Sequence, residues 1–192
     1  NANKHTISAQ GTLTASKSAN TPAAQTYIKG ANAKEFLRLN LQANSGEDIS
    51  VTSLTFNLRR GSGGGSTASG DLTNVKILKL DGTQLGSTVS SPSTQAAFSF
   101  NLTVPASETV TLKVIADIPS TTNATSGGMQ IDLTAATDMD STGASSAATL
   151  TETGFAVTGN LMAVSQGTLT VSAAATPGDQ TVIIGATQVS MV

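Results

Sequence analysis

The chain has 192 residues, with 10 Lys and Arg against 12 Asp and Glu, one His and a net charge of −2. That balance lacks the basic footprint of a nucleic-acid binder, and the absence of Cys removes disulfides, thiolate metal sites and cysteine catalysis. Charged residues are only 11% and aromatics 3%, while Ser and Thr together number 53, a composition poor for amphipathic helices and good for strands and turns.

The first ten residues read as a lead-in from a preceding unit, and they contain His5, the single histidine. From Gln10 the text QGTLTASKSANTPAAQTYIKGANAKEF begins, and from Gln166 it nearly repeats as QGTLTVSAAATPGDQTVIIGATQVSM. Leu13 and Leu169, Thr21 and Thr176, Pro22 and Pro177, Gln25 and Gln180, and Gly30 and Gly185 fall into register once a single residue is dropped. The spacing is that of whole domains rather than the roughly 20 to 50 residues of solenoid repeats. Residues 11–166 therefore form one unit with a single core, and residues 167–192 are the opening of a second copy. The chain reads as cut from a longer polypeptide, or as one subunit carrying a piece of a neighbour's fold.

Only Ala31 to Glu35 admits a helical turn. Beyond it, alternation with a period of two takes over: Leu37, Leu39 and Leu41 share one face against Arg38 and Asn40. After the turn at Asn44-Ser45-Gly46, Ile49 and Val51 are out of phase with Leu54, Phe56 and Leu58, which calls for a β-bulge near Thr52-Ser53. Gly61 to Gly65 lacks the Lys and helix of a phosphate-binding loop and reads as a hairpin tip. A second phase slip runs from Val75 and Ile77 to Leu78 and Leu80, before the Asp81-Gly82 turn. Ala96, Phe98, Phe100, Leu102 and Val104 make a strand ending at Pro105, and Val110, Leu112, Val114, Ala116 and Ile118 another ending at Pro119. Asn123-Ala124-Thr125 is a glycosylation sequon in a polar loop, and Asn101-Leu102-Thr103 a second one within a strand.

Met129, Ile131, Leu133 and Ala135 form the last clear strand. In the following stretch, Asp138-Met139-Asp140-Ser141-Thr142-Gly143, alternating carboxylates and a turn glycine offer oxygens of the kind calcium takes. No well-placed twelfth-position carboxylate follows, Glu152 being the nearest, so a solvated turn is the simpler reading and no cofactor is expected. In the second copy, Gly167, Leu169, Val171, Val182 and Ile184 repeat opening strands with no further chain to pack on. These are the candidate interface residues.

The sum is an all-β antiparallel two-sheet sandwich of immunoglobulin type, with a C-terminal segment that begins a second copy; a closed barrel is the alternative. The phrases Gly46 to Leu54, Asn74 to Ile77 with Asp81 to Ser87, and Val104 to Ala106 with Lys113 to Ile118 resemble tandem β-sandwich repeats, like immunoglobulin and fibronectin-III domains, of long Ser/Thr-rich bacterial surface proteins. That resemblance implies a cell-surface, surface-layer-like or filament role and carries no catalytic residues. The expected function is structural: a non-catalytic extracellular repeat assembling head to tail with copies of itself, without nucleic acid or direct membrane insertion. The alternative is an adhesin-like module binding glycan or protein through its loops, for which an exposed aromatic platform is wanted and only Tyr27 is present besides five Phe.

Overall fold

A computed structural model describes residues 10–61, 65–67, 69–123 and 127–172, together with 181, 183–185 and 187. In chain order the strands are β1 (Leu13–Lys17), β2 (Thr26–Ile28), β3 (Lys34–Ala43), β4 (Ile49–Arg60), β5 (Gly65–Ser66), β6 (Thr73–Lys79) and β7 (Gln84–Val89). They continue as β8 (Gln95–Val104), β9 (Thr109–Asp117), β10 (Met129–Leu133), β11 (Met139–Gly143), β12 (Val157–Thr158) and β13 (Ala163–Ser165). The molecule is all-β.

One antiparallel sheet runs in the order β1-β3-β9-β6-β7. The other is built around β4. Asn57 pairs with Gln95 of β8 and with Asp132 of β10, so those strands lie on opposite margins of β4. β11 follows β10 along one margin, and β5 continues the margin of β8. β12 pairs with the outer side of β10. A third element is small: β13 lies parallel to β2, with Val164 opposite Tyr27.

The alternating residues of both large sheets meet in one hydrophobic cluster that includes Leu13, Leu39, Leu41, Phe56, Leu58, Phe98, Leu112, Val114 and Ile131. Burying such apolar surface is the main favourable term in folding. Phe56 and Phe98 meet edge to face at 6.2 Å.

The phase slip in β4 is absorbed where the alternation calls for it. Val51 pairs with Leu102 but Ser53 with Ser99, and on the other margin Val51 pairs with Ser141 and Ser53 with Asp140. Thr52 is thus the extra residue against β11, and β8 carries its own extra residue across from it. Phe100 lies in the stretch of β8 that carries the extra residue, and it is half-buried rather than buried as the alternation predicts.

The second slip falls elsewhere than expected. The irregularity lies between Val75 and Ile77, where β7 inserts extra residues between Leu85 and Val89. Gly86 makes this possible: its φ is +66°, and a Cβ there would stand 2.8 Å from the Ser99 carbonyl oxygen. Leu78 is half-buried and Leu80 is exposed, so neither rejoins the core. Two further expectations are corrected. Ala31 to Glu35 holds no helical turn, since β3 already begins at Lys34 and Ala33 has a φ of 51°. The helical turn among the described residues is the 3-10 segment Ala136–Asp138, closed by its own acid: Asp138 Oδ2 accepts from the Thr134 and Ala135 amides, both at 3.0 Å.

Candidate functional site

Three residues lead into β1, and each is tied to the turn between β3 and β4. Asn44 Oδ1 accepts from the Thr12 amide at 3.1 Å, Asn44 Nδ2 donates to the Gln10 carbonyl at 3.4 Å, and the Asn44 amide donates to the Thr12 carbonyl at 3.1 Å. Glu47 Oε1 accepts from the Gly11 amide at 3.2 Å. Gly11 is needed there, because a Cβ would come within 2.9 Å of Glu47 Cγ.

Glu47 is itself held from the far side. Its Oε2 accepts from the Ser145 and Ser146 amides at 3.0 and 2.9 Å, and its Oε1 accepts from Ser146 Oγ at 2.7 Å. The Ser146 hydroxyl, then the Ser146 amide and the further backbone donors, lower the Glu47 carboxyl to about 2. A carboxylate saturated in this way is a clamp and a poor proton acceptor. Beside it Asp48 Oδ1 accepts from the Ala106 amide at 2.8 Å, and an open cleft lies between Gln10, Glu47, Ala106 and Ser145.

Where β2 and β13 pair, the chain closes its last strand. The Tyr27 hydroxyl donates to the Glu35 carbonyl at 2.6 Å, and its ring meets Phe36 edge on at 5.6 Å. Burial, reinforced by Glu35, raises the Tyr27 phenol above its ordinary range. Its ring is buried, so it presents no platform to a sugar. The Lys29 amide donates to the Ser165 carbonyl at 2.9 Å, fixing the end of β13.

Immediately after β13 the repeated text begins. Gly167, Leu169 and Val171 are exposed and outside any strand, Leu169 to 88% and Val171 to 83%. Their counterparts Leu13 and Ala15 are fully buried in β1. Ile184 is likewise exposed, and Val182 lies outside the described residues. Gly185, at φ +92°, repeats the left-handed backbone of its counterpart Gly30 at +82°.

The candidate calcium residues have local partners. Asp138 Oδ2 also accepts from Asn57 Nδ2 at 3.1 Å, and Asp140 Oδ2 accepts from Ser53 Oγ at 2.6 Å. Glu152 is buried and accepts from Ser141 Oγ at 2.6 Å. Among the described residues no three His, Cys, Asp or Glu side chains gather where they could hold a metal ion. Asn123 is exposed, with Ala124 and Thr125 of its sequon outside the described residues, as His5 is. Asn101 is exposed on β8 and accepts from Ser50 Oγ at 3.2 Å.

Sequence reasoning missed three polar clusters. Glu47 gathers donors from Gly11 and from Ser145 and Ser146, separations no local pattern reveals. Arg60 Nη2 grips both oxygens of buried Asp71 at 2.5 Å, with Thr122 Oγ1 donating to the same carboxylate at 3.3 Å. Arg59 Nε stands 3.0 Å from buried Asp132, whose carboxyl is nonetheless raised, because desolvation outweighs its hydrogen bonds from Gln130 and Gly159 and the nearby guanidinium. These pairs fasten strands: Asp132 ties β10 to β4 and, through Gly159, to the segment beyond β12.

Comparison with protein-family models, with curated proteins and with solved structures finds no match. Among the described residues no helix is long and apolar enough to cross a membrane.

Proposed function

We propose that this chain is a non-catalytic structural repeat of the cell exterior, whose units assemble head to tail into a filament, stalk or surface layer. In this reading the two large antiparallel sheets are the layers of an immunoglobulin-like sandwich, and the chain keeps company with the tandem surface-protein repeats that its strand and turn phrases resemble. One observation carries the reading: a second β1-like text follows β13 directly, bearing apolar residues that the first copy buries and the second exposes. An exposed apolar segment of this kind is completed by another sheet. The hydroxyl-rich surface and the scarcity of Lys and Glu suit an exported protein. Negative-stain imaging of the native material tests the proposal: continuous fibres or a lattice with a regular repeat support it, and dispersed single particles overturn it.

A further inference from the structure

Between the end of β13 at Ser165 and Leu169, the counterpart of the first residue of β1, stand only Gln166, Gly167 and Thr168. Their counterparts are Gln10, Gly11 and Thr12, identical in type. In the first copy all three are fastened to Asn44 and Glu47 by side-chain and backbone hydrogen bonds. In the second copy all three are exposed.

Short polar connections containing Gly ordinarily swivel, and units joined by them move independently unless a contact holds them. Here the connection has no free length. Glu47 is fixed by Ser145 and Ser146 before it reaches Gly11, so the grip is preorganised and ordering it costs little extra entropy. Gly11 approaches Glu47 too closely for any side chain, and the second copy keeps glycine at that place, Gly167. Gly167 also passes beside Ile28, which is 46% exposed, so the connection stays close to the unit it leaves while its amides and carbonyls remain exposed.

We infer that Asn44 and Glu47 form a joint: in each unit they hold the three residues that span its junction with the unit before it and set successive copies at a fixed angle. The partner of this surface is a second copy of the chain's own unit, and the inference rests on the head-to-tail reading above. Such a joint would let a chain without cysteine and with short connections make a stiff array rather than a string of beads.

The test continues the full chain after Val192 with Arg38 to Gln166, since Val192 is the counterpart of Leu37, so that a second complete unit follows the first. Nitrogen-15 relaxation is measured on both units, with amide exchange at Gly167 and Thr168. The expected result is a second set of resonances overlaying the first, common tumbling of the two units, and protection at Gly167 and Thr168 that the 192-residue chain lacks. Replacing Asn44→Ala and Glu47→Ala in the appended segment should abolish that protection and the common tumbling; Glu47→Gln, which keeps an acceptor for Gly167, should do so partially. Two folded units that tumble independently in the unaltered chain overturn the joint and leave the repeat reading standing. Unchanged tumbling in the variants removes the role of Asn44 and Glu47, and an appended segment that gives no folded spectrum overturns joint and repeat reading together.

Discussion

Leu13 is fully buried while Leu169, its counterpart in the second copy, is 88% exposed. The same residue type in the same local text therefore has opposite surroundings: Leu13 pairs with Ala43 of β3, whereas Leu169 lies outside any strand among the described residues. Leu13→Ala should cost about 2–5 kcal/mol as a core cavity, whereas Leu169→Ala should shift the stability of the dilute chain by no more than about 0.5 kcal/mol. Urea titration of both variants checks this. Equal losses would mean that residues 167–172 already pack on the unit.

The same exposure predicts self-association. Replacing Leu169, Val171, Ile183 and Ile184 by Ser removes the large apolar side chains that the second copy leaves in water. Light scattering against concentration should fall to that of a monomer in the quadruple variant, while the urea midpoint holds. Scattering that does not respond would place the sticky surface elsewhere.

Much of this architecture was legible because burial in a half-buried strand follows a period of two. The bulge at Thr52 could be found from Val51 and Leu54 alone, since only an extra residue keeps both inside. Phe100 was misread for the complementary reason: alternation tells which face a residue takes, not whether that face is covered at its level. Phe36 and Leu37 are both buried because β3 shifts register between Glu35 and Leu37 against β9, a shift that adjacent apolar residues hint at without locating. Glu47 was illegible, since its donors come from Gly11, Ser145 and Ser146, far apart in the chain.

Phe98 packs edge on against Phe56 with almost no exposure. Phe98→Ala should lose about 3–5 kcal/mol, a large share of the 5–15 kcal/mol typical of a domain. Phe100→Ala, half-buried beside the bulge, should lose distinctly less. A larger loss at Phe100 would contradict the register of β8 on β4.

The pH dependence follows from Glu47. Its carboxyl, ordinarily near 4.5, is lowered to about 2 in the folded chain, so the unfolded state takes up the proton first. The stabilisation it provides is complete above about pH 4.5 and is lost as pH falls through about 2. Thermal melts from pH 6 down to 2 should fall less steeply in Glu47→Gln than in the parent chain. Asp132 opposes this trend, because its raised carboxyl is better tolerated when protonated; Asp132→Asn should accordingly steepen the acid loss. Parallel curves for parent and Glu47→Gln would remove the clamp from the account.

At Asp138 the expected result concerns structure rather than metal. Its Oδ2 collects the Thr134 and Ala135 amides and Asn57 Nδ2, and leaving such donors unmet costs on the order of 1–3 kcal/mol. Asp138→Ala should be destabilised by that amount with or without calcium, and chelation with EDTA should leave the parent melt unchanged. A calcium-dependent rise in the melting temperature, absent from Asp138→Ala and Asp140→Ala, would restore the ion site.

In the proposed assembly, whether successive units are covalently continuous turns on the connection Gln166 to Thr168. If Leu169 opens the next domain of one polypeptide, the joint at Asn44 and Glu47 is intramolecular and survives denaturant as a chain. If the segment from Gly167 is donated to a neighbouring subunit, it takes the place of that subunit's β1 beside β3, and denaturant separates the copies. In the proposed assembly both arrangements are head to tail, and both would give an open assembly unless the rotation closes. The exposed counterpart of β1 fits either. The identical Gln-Gly-Thr-Leu-Thr text favours the covalent array, because a donated strand needs only the residues that pair and fill the groove, and Gln10 and Gly11 serve the connection instead. Denatured native material should therefore run as one species far above 19.2 kDa. A single band near that mass would sink the covalent array and establish strand donation in its place.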